Sequence, residues 1–270
     1  MRTLENIRRF KLSENFIDQY KDQEVPWGPL GYITFKRTYS RRLNESIADA
    51  TLLGLEWNDA KAQRTAKDAY DRLFNLKWTP PGRGLWMMGT KFVEERTGAG
   101  LFNCGFRTTR DVATKGGYLF AWIMDALMVG VGVGFDTKGA GTLTIKSPSW
   151  SEDTHVIPDS REGWVKSVEI LLNGFFFGSD VPKFDYSEIR PLGAPILGFG
   201  GTSSGYAPLK ELHDELIKLY MPKIGHTITS TDIVDTENLI GRCVVAGNVR
   251  RSAALAMGSA DDRQYLTMKN

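Results

Sequence analysis

Cysteine and histidine are scarce in this 270-residue sequence, with two of the first, Cys104 and Cys243, and three of the second. That scarcity excludes a disulfide framework and every common zinc spacing, and it leaves two thiols of a reducing compartment, each inert or redox-active. Charge of one sign is lacking as well. The 34 Lys plus Arg face 32 Asp plus Glu, so no global field draws the chain to nucleic acid, and any phosphate binding has to be local. No stretch approaches the roughly 20 uninterrupted apolar residues of a membrane span. The start, MRTLENIRRFKLSENF, is charged without an apolar core. The expectation is a soluble cytoplasmic protein with no membrane partner. Internal repeats and low-complexity linkers are absent too.

What is present suits a globular α/β protein. Its 270 residues are enough for one large domain or two small ones, and a hydrophobic share of 41% is enough for a core. Helical spacing predicts helices over 58–78, closed by Thr79-Pro80-Pro81-Gly82, over a short stretch at 91–96, and over about 115–129. Further helices are predicted over 160–177, with Asp159 or Ser160 as cap and Gly178 as stop, over 207–220, over 229–246, and from Ala260 onward. Strands are predicted at LFNCGFRT (101–108), VGVGVGFD (129–136), near KFDYSEI (183–189) and at RRSAALAM (250–257), with a polar connection over 137–158. Helices alternating with short strands imply a mixed or parallel sheet covered by helices. The last residues, QYLTMKN, read as the interior of an amphipathic helix without a cap.

Four segments could carry chemistry. Gly130, Gly132 and Gly134 read G-x-G-x-G in the order helix, glycines, strand, whereas a dinucleotide fingerprint needs strand, glycines, helix so that the helix N-terminus meets the pyrophosphate. The fingerprint is therefore rejected, and close packing of the strand stands beside close approach of a ligand. GFGGTSSG (198–205) offers unobstructed N–H groups and three hydroxyls before a helix, as an anion loop or as a plain surface loop. GNVRRSA (247–253) sets Arg250 and Arg251 where a helix meets a strand, so that one could face a nucleotide while the other meets solvent; a solvated basic edge fits equally. Cys104 is either a small buried hydrophobe or, with Asn103 before it and Gly105 after it, a reachable thiol on a strand edge. Cys243, on an apolar helical face, reads as packing.

The segments in their order carry more than any one of them. TFKRTYSRR, TPPGRGLWMMGT, LFNCGF, LMVGVGVGFDT, VIPDSREGW, FDYSEIRPLGAPILGFGGTSSG and NLIGRCVVAGNVRRSAALAMGSADD together resemble the adenosylcobalamin-dependent ribonucleoside-triphosphate reductases, the monomeric branch of class II ribonucleotide reductase. The resemblance implies a ten-stranded α/β barrel, of which this chain supplies the first half over 101–270 after a mainly helical region over 1–100. It implies a cobalamin-initiated thiyl radical that abstracts the substrate's 3′ hydrogen, and a cysteine pair that reduces the ribose and is restored by a thioredoxin-type partner. On this analogy Cys104 is one thiol of that pair and Asn103 lies beside the ribose. Gly201, Thr202 and Ser203 pass near the substrate. Gly132, Asp136, Asn248, Arg250 and Arg251 belong to the segments that sense a nucleoside triphosphate effector.

The radical cysteine in its Asn-Pro-Cys-x-Glu setting, the second redox cysteine, the cobalamin-binding segments and the C-terminal relay cysteines have no counterpart here. The expectation that follows is the N-terminal portion of a split or intein-interrupted reductase, inactive without a C-terminal half. A non-catalytic nucleotide-binding remnant of the same fold is the alternative, and an unrelated α/β binding protein a distant third.

Overall fold

A computed structural model describes residues 9–10, 12–23, 46–47, 59–79, 81–87, 93, 98–196, 201–246 and 253–268. The chain divides into two compact units, Met1–Leu101 and Phe102–Asn270.

In the first unit, two-residue strands β1 (Arg9–Phe10) and β2 (Ser46–Ile47) pair antiparallel. Helices α1 (Glu14–Ile17), α2 (Asp59–Phe74) and α3 (Gly82–Met87) follow the order of the chain. A ring cluster joins α1 and the turn after it to α2: Phe16 meets Tyr70 edge-on at 5.5 Å, and Tyr20 meets Phe74 at 4.7 Å. The Tyr20 hydroxyl donates to Asp71 at 3.1 Å, which satisfies the polar end of a packed ring. The helix predicted at 91–96 lies outside the described residues, apart from Val93.

The second unit holds a three-stranded parallel sheet in the order β3 (Cys104–Arg107), β4 (Gly132–Asp136), β7 (Ala254–Met257). Parallel neighbours need crossover connections. Between β3 and β4 these are α4 (Val112–Lys115) and α5 (Tyr118–Met128). The sequence predicts one helix here, and the structure breaks it at Gly116–Gly117. Gly116 has φ +51°, and a Cβ on it would lie 2.3 Å from the Phe177 ring; a Cβ on Gly117 would lie 2.8 Å from the Glu169 carbonyl. Only glycines allow α5 to sit that close to its neighbour.

Between β4 and β7 stands a second parallel pair, β5 (Ser149–Val156) with β6 (Asp180–Asp185), joined by α6 (Arg161–Phe177). Strand β5 falls where the sequence predicts only a polar connection. Helix α6 begins at Ser160, whose side chain accepts from the Gly163 N–H, and ends at Gly178 in the left-handed region, φ +73°. Helices α7 (Ala207–Tyr220), α8 (Ser230–Val245) and the short α9 (Arg263–Thr267) complete the unit. Thr229 and Asp232 form a capping box at the start of α8.

The core lies among α5, α6, α7 and α8. Phe120 meets Phe176 at 5.7 Å, and Tyr220 touches Phe175 at 5.6 Å and Phe176 at 5.4 Å. All four rings are fully buried. Burial of each contributes on the order of 2–3 kcal/mol. The Tyr220 hydroxyl, the one polar atom among them, is satisfied by Thr236 Oγ1 at 2.7 Å.

Candidate active site

Alternation along the parallel sheet gives it two unlike faces. On one, Gly105 and Arg107 turn toward α5: a Cβ at Gly105 would meet Trp122 at 3.5 Å, and the Arg107 guanidinium lies 5.4 Å from the rings of both Tyr118 and Trp122. On the other, Cys104 pairs in register with Gly132, Phe106 with Gly134, and Gly134 with Leu255. This second face is open and apolar. Phe106 is 54% exposed and Leu255 64%. The glycines of β4 keep it low, since a Cβ on Gly134 would lie 3.0 Å from Met257 Cε and 3.3 Å from Phe106. Of the two readings of these glycines, Gly134 fits close packing against neighbouring side chains, while a Cβ on Gly132 would meet nothing nearer than 3.6 Å.

Cys104 is exposed, at the N-terminal end of β3, with Asn103 exposed beside it. Gly132 donates its N–H to the Asn103 carbonyl at 2.8 Å, and a Cβ on Gly132 would lie 3.6 Å from both Asn103 O and Ala253 Cβ. Val133 donates to the Ala253 carbonyl at 2.8 Å. Asn103, Cys104, Gly132 and Ala253 thus share one end of the sheet. Asn248, Arg250 and Arg251 lie outside the described residues.

Asp136 sits at the opposite end of β4, about 13 Å from Gly132 at the usual rise per strand residue. It is buried, and its carboxylate is filled with donors. Oδ1 accepts from the Thr109 N–H at 2.8 Å, the Thr109 hydroxyl at 3.1 Å and the Lys138 N–H at 3.3 Å; Oδ2 accepts from the Thr108 hydroxyl at 2.8 Å. Burial pushes its pKa up, but these donors outweigh burial and hold the carboxyl below its ordinary range.

Gly201, Thr202 and Ser203 lie on the returning arm of a hairpin. Gly193 donates to the Ser203 carbonyl at 2.9 Å, Ser203 to Ala194 at 2.8 Å, and Ile196 to Gly201 at 2.9 Å. Ser203 is buried, with its hydroxyl bonded to the Arg190 carbonyl and accepting from the Gly205 N–H at 3.0 Å. An anion loop needs free N–H groups, and those of Ser203 and Gly205 are already bonded. Residues 198–200 of the same motif lie outside the described set. Among the described residues, the hairpin's backbone bonds do not reach β3.

Cys243 is buried on α8. Burial, with the nearby Glu211 charge, pushes its thiol up to about 12 against the smaller opposing effect of Arg242. It is a packing residue, as its apolar setting predicts.

Two buried groups carry no signal in the sequence. His213 on α7 is hydrogen-bonded at both nitrogens, to Tyr186 and to Ser167. Glu237 on α8 is fully buried, and among the described residues neither carboxyl oxygen has a hydrogen-bond partner. Among the described residues, no three His, Cys, Asp or Glu side chains are placed to hold a metal. No helix there is long and apolar enough to cross a membrane.

The comparisons with known proteins point one way. Residues 141–219 match the family model for the insertion domain of B12-dependent ribonucleotide reductase, and residues 46–90 the ribonucleotide reductase alpha domain. A crystal structure of a B12-dependent, class II ribonucleotide reductase superposes with a TM-score of 0.76 at 28% identity, over 96% of this chain and 46% of that one. The chain belongs to the class II ribonucleotide reductase family.

Within that family it is similar to the adenosylcobalamin-dependent ribonucleoside-triphosphate reductases. A probable member from Dictyostelium discoideum is 42% identical over 98% of this chain and 40% of its own length; one from Euglena gracilis is 38% identical over 99% and 40%. The chain spans less than half the length of these relatives.

Proposed function

We propose that this chain is the part of an adenosylcobalamin-dependent ribonucleoside-triphosphate reductase that carries one reducing thiol and the effector segments. Residues 101–270 form the first half of the ten-stranded barrel, preceded by the mainly helical region 1–100. The observation that carries the reading is Cys104. It is exposed on the open sheet face, bracketed by Asn103 and Gly132, and this is where a dithiol would meet a ribose. The open face of Phe106, Gly134, Leu255 and Met257 fits a half-barrel awaiting its other half.

In the proposed reaction Cys104 and a second cysteine outside this chain lose two electrons and form a disulfide. The substrate's 2′-hydroxyl leaves as water, and a thioredoxin-type dithiol restores the pair. Adenosylcobalamin, named for the relatives, supplies the initiating radical when bound. On this reading the segments that hold it lie in the C-terminal half of the reductase.

The test is turnover by the complete reductase containing this sequence, supplied with adenosylcobalamin, ribonucleoside triphosphates and thioredoxin. Cys104→Ser is expected to abolish repeated turnover with thioredoxin while exchange of the 3′ hydrogen persists. Normal turnover by that variant would remove the redox role.

A further inference from the structure

The loop that follows β4 and the turn that follows β3 are built into one another. Thr109, fully buried two residues beyond the end of β3, gives its N–H to Asp136 Oδ1, and its hydroxyl lies 2.8 Å from the Asp136 carbonyl oxygen and 3.1 Å from Oδ1. That hydroxyl also accepts the Gly139 N–H at 3.0 Å. Independent of these bonds, the two segments touch with no room between them: a Cβ on Gly139 would lie 2.6 Å from the Thr109 carbonyl and 2.9 Å from Val112. The loop is held on its far side too. Gly141 donates to the Ile228 carbonyl at 2.9 Å, and Ile228 donates back to Leu143 at 2.8 Å.

We propose that Asp136 and Thr109 are positioning residues that couple the 137–143 loop to the strand bearing Cys104, so that displacement of the loop changes how the thiol is presented. A buried carboxylate held by the Thr109 N–H, the Thr108 hydroxyl and the Lys138 N–H, with the Thr109 hydroxyl against it, has no slack. Its partners sit on two chain segments, Thr108 and Thr109 after β3 and Lys138 in the loop, and a packed junction of that kind transmits a shift instead of absorbing it. Cys104 begins the strand that ends two residues before Thr109, and β4 holds that strand in register, which makes it the rigid arm of the junction. That the loop answers to a nucleotide rests on the proposed function; the coupling itself rests on the contacts.

The experiment is the rate at which Cys104 reacts with a disulfide reagent such as DTNB in the full chain, with Cys243, buried in α8, reporting that the fold is intact. Thr109→Val and Asp136→Asn are expected to change the Cys104 rate by about three- to tenfold with Cys243 still protected, and Thr109→Ser, which keeps the hydroxyl, to restore it. The double variant should change the rate less than the product of the single effects. Unchanged Cys104 rates in folded Thr109→Val and Asp136→Asn would overturn the proposal.

Native-state hydrogen exchange on the unmodified chain is the second readout, and it needs no variant to fold. The amides of 104–107 and 137–143 should open with one free energy, and independent opening would overturn the proposal as well. Addition of a deoxynucleoside triphosphate separates the two claims. A shift in the Cys104 rate that is lost in Thr109→Val supports both, whereas absence of nucleotide binding counts against the effector reading alone.

Discussion

The Tyr186 hydroxyl donates to Nδ1 of His213 at 2.7 Å, and the direction of that bond is fixed from the other side of the ring. Ser167 gives its own hydrogen to the Trp164 carbonyl at 2.8 Å, so at 3.0 Å it accepts from His213 Nε2–H, which leaves Nδ1 as the acceptor. The imidazole is therefore neutral, and it ties α6 and α7 to the chain after β6. Burial pushes its pKa down to about 3, with Lys210 acting the same way and Asp214 opposing. In the unfolded chain the ring titrates near about 6.5.

Between those values the unfolded state binds the extra proton, so the stabilisation is complete above the unfolded pKa and is lost as pH falls toward the folded one. The expected slope reaches about 1.4 kcal/mol per pH unit in that window. Urea unfolding at pH 7, 5.5 and 4 checks it. His213→Gln should be less stable at pH 7 and have a flatter acid limb, and an unchanged limb would refute the assignment.

How much of this was legible depended on whether the signal was local. Helices α6 and α7 stand where the sequence predicts them, because the apolar spacing of both, and the Ser160 and Gly178 ends of α6, lie within the segments themselves. Strand β5 is not legible in the sequence for a physical reason: SWSEDTHV has no buried face, so it lacks the alternation that marks a strand, and its order comes from β6 and the α6 crossover. The Gly116–Gly117 break was hidden because apolar spacing runs straight across it. At the site, an exposed Cys104 beside Asn103 is one of the two readings the motif allows, while its register with Gly132, 28 residues on, comes from the parallel pairing alone. The filled carboxylate of Asp136 could not, since Thr108 and Thr109 lie 28 and 27 residues away. His213 and Glu237 are likewise defined by distant neighbours.

Glu237 makes the opposite pH prediction. Burial with no partner for either oxygen raises its pKa well above the ordinary range, so the folded protein keeps the proton. Above about pH 4.3 the unfolded chain releases that proton, and stability falls as pH rises until the folded pKa is passed. Glu237→Met should raise stability at pH 7 by about 1–3 kcal/mol, since it removes an unsatisfied buried group. Glu237→Gln should remove the pH slope without the full gain. A thermal melt series across pH distinguishes the two, and destabilisation by Met would show that the carboxyl has a partner in solution.

The two thiols should behave as different species. In the native chain DTNB is expected to release one equivalent quickly from exposed Cys104 and none from Cys243, whose thiolate is disfavoured by burial. Denaturant should release the second. Cys104→Ser should eliminate the fast phase; its survival would mean that α8 opens in the native state.

The open face of the sheet gives the last prediction, because β4 presents opposite surfaces on alternate residues. Phe135 faces inward at 1% exposure, while Leu255 and Phe106 flank Gly134 in the open. Phe135→Ala should cost about 3–5 kcal/mol, as for other buried rings. Leu255→Lys should leave the melting temperature near that of the wild type, since the side chain gives up little packing, while it reduces binding of a hydrophobic dye and concentration-dependent self-association measured by sedimentation. A chain that associates as before after Leu255→Lys would show that contacts elsewhere drive association. A large loss of stability would show that the face is already covered in solution. Lower association with stability retained is what a face awaiting the second half of a barrel requires.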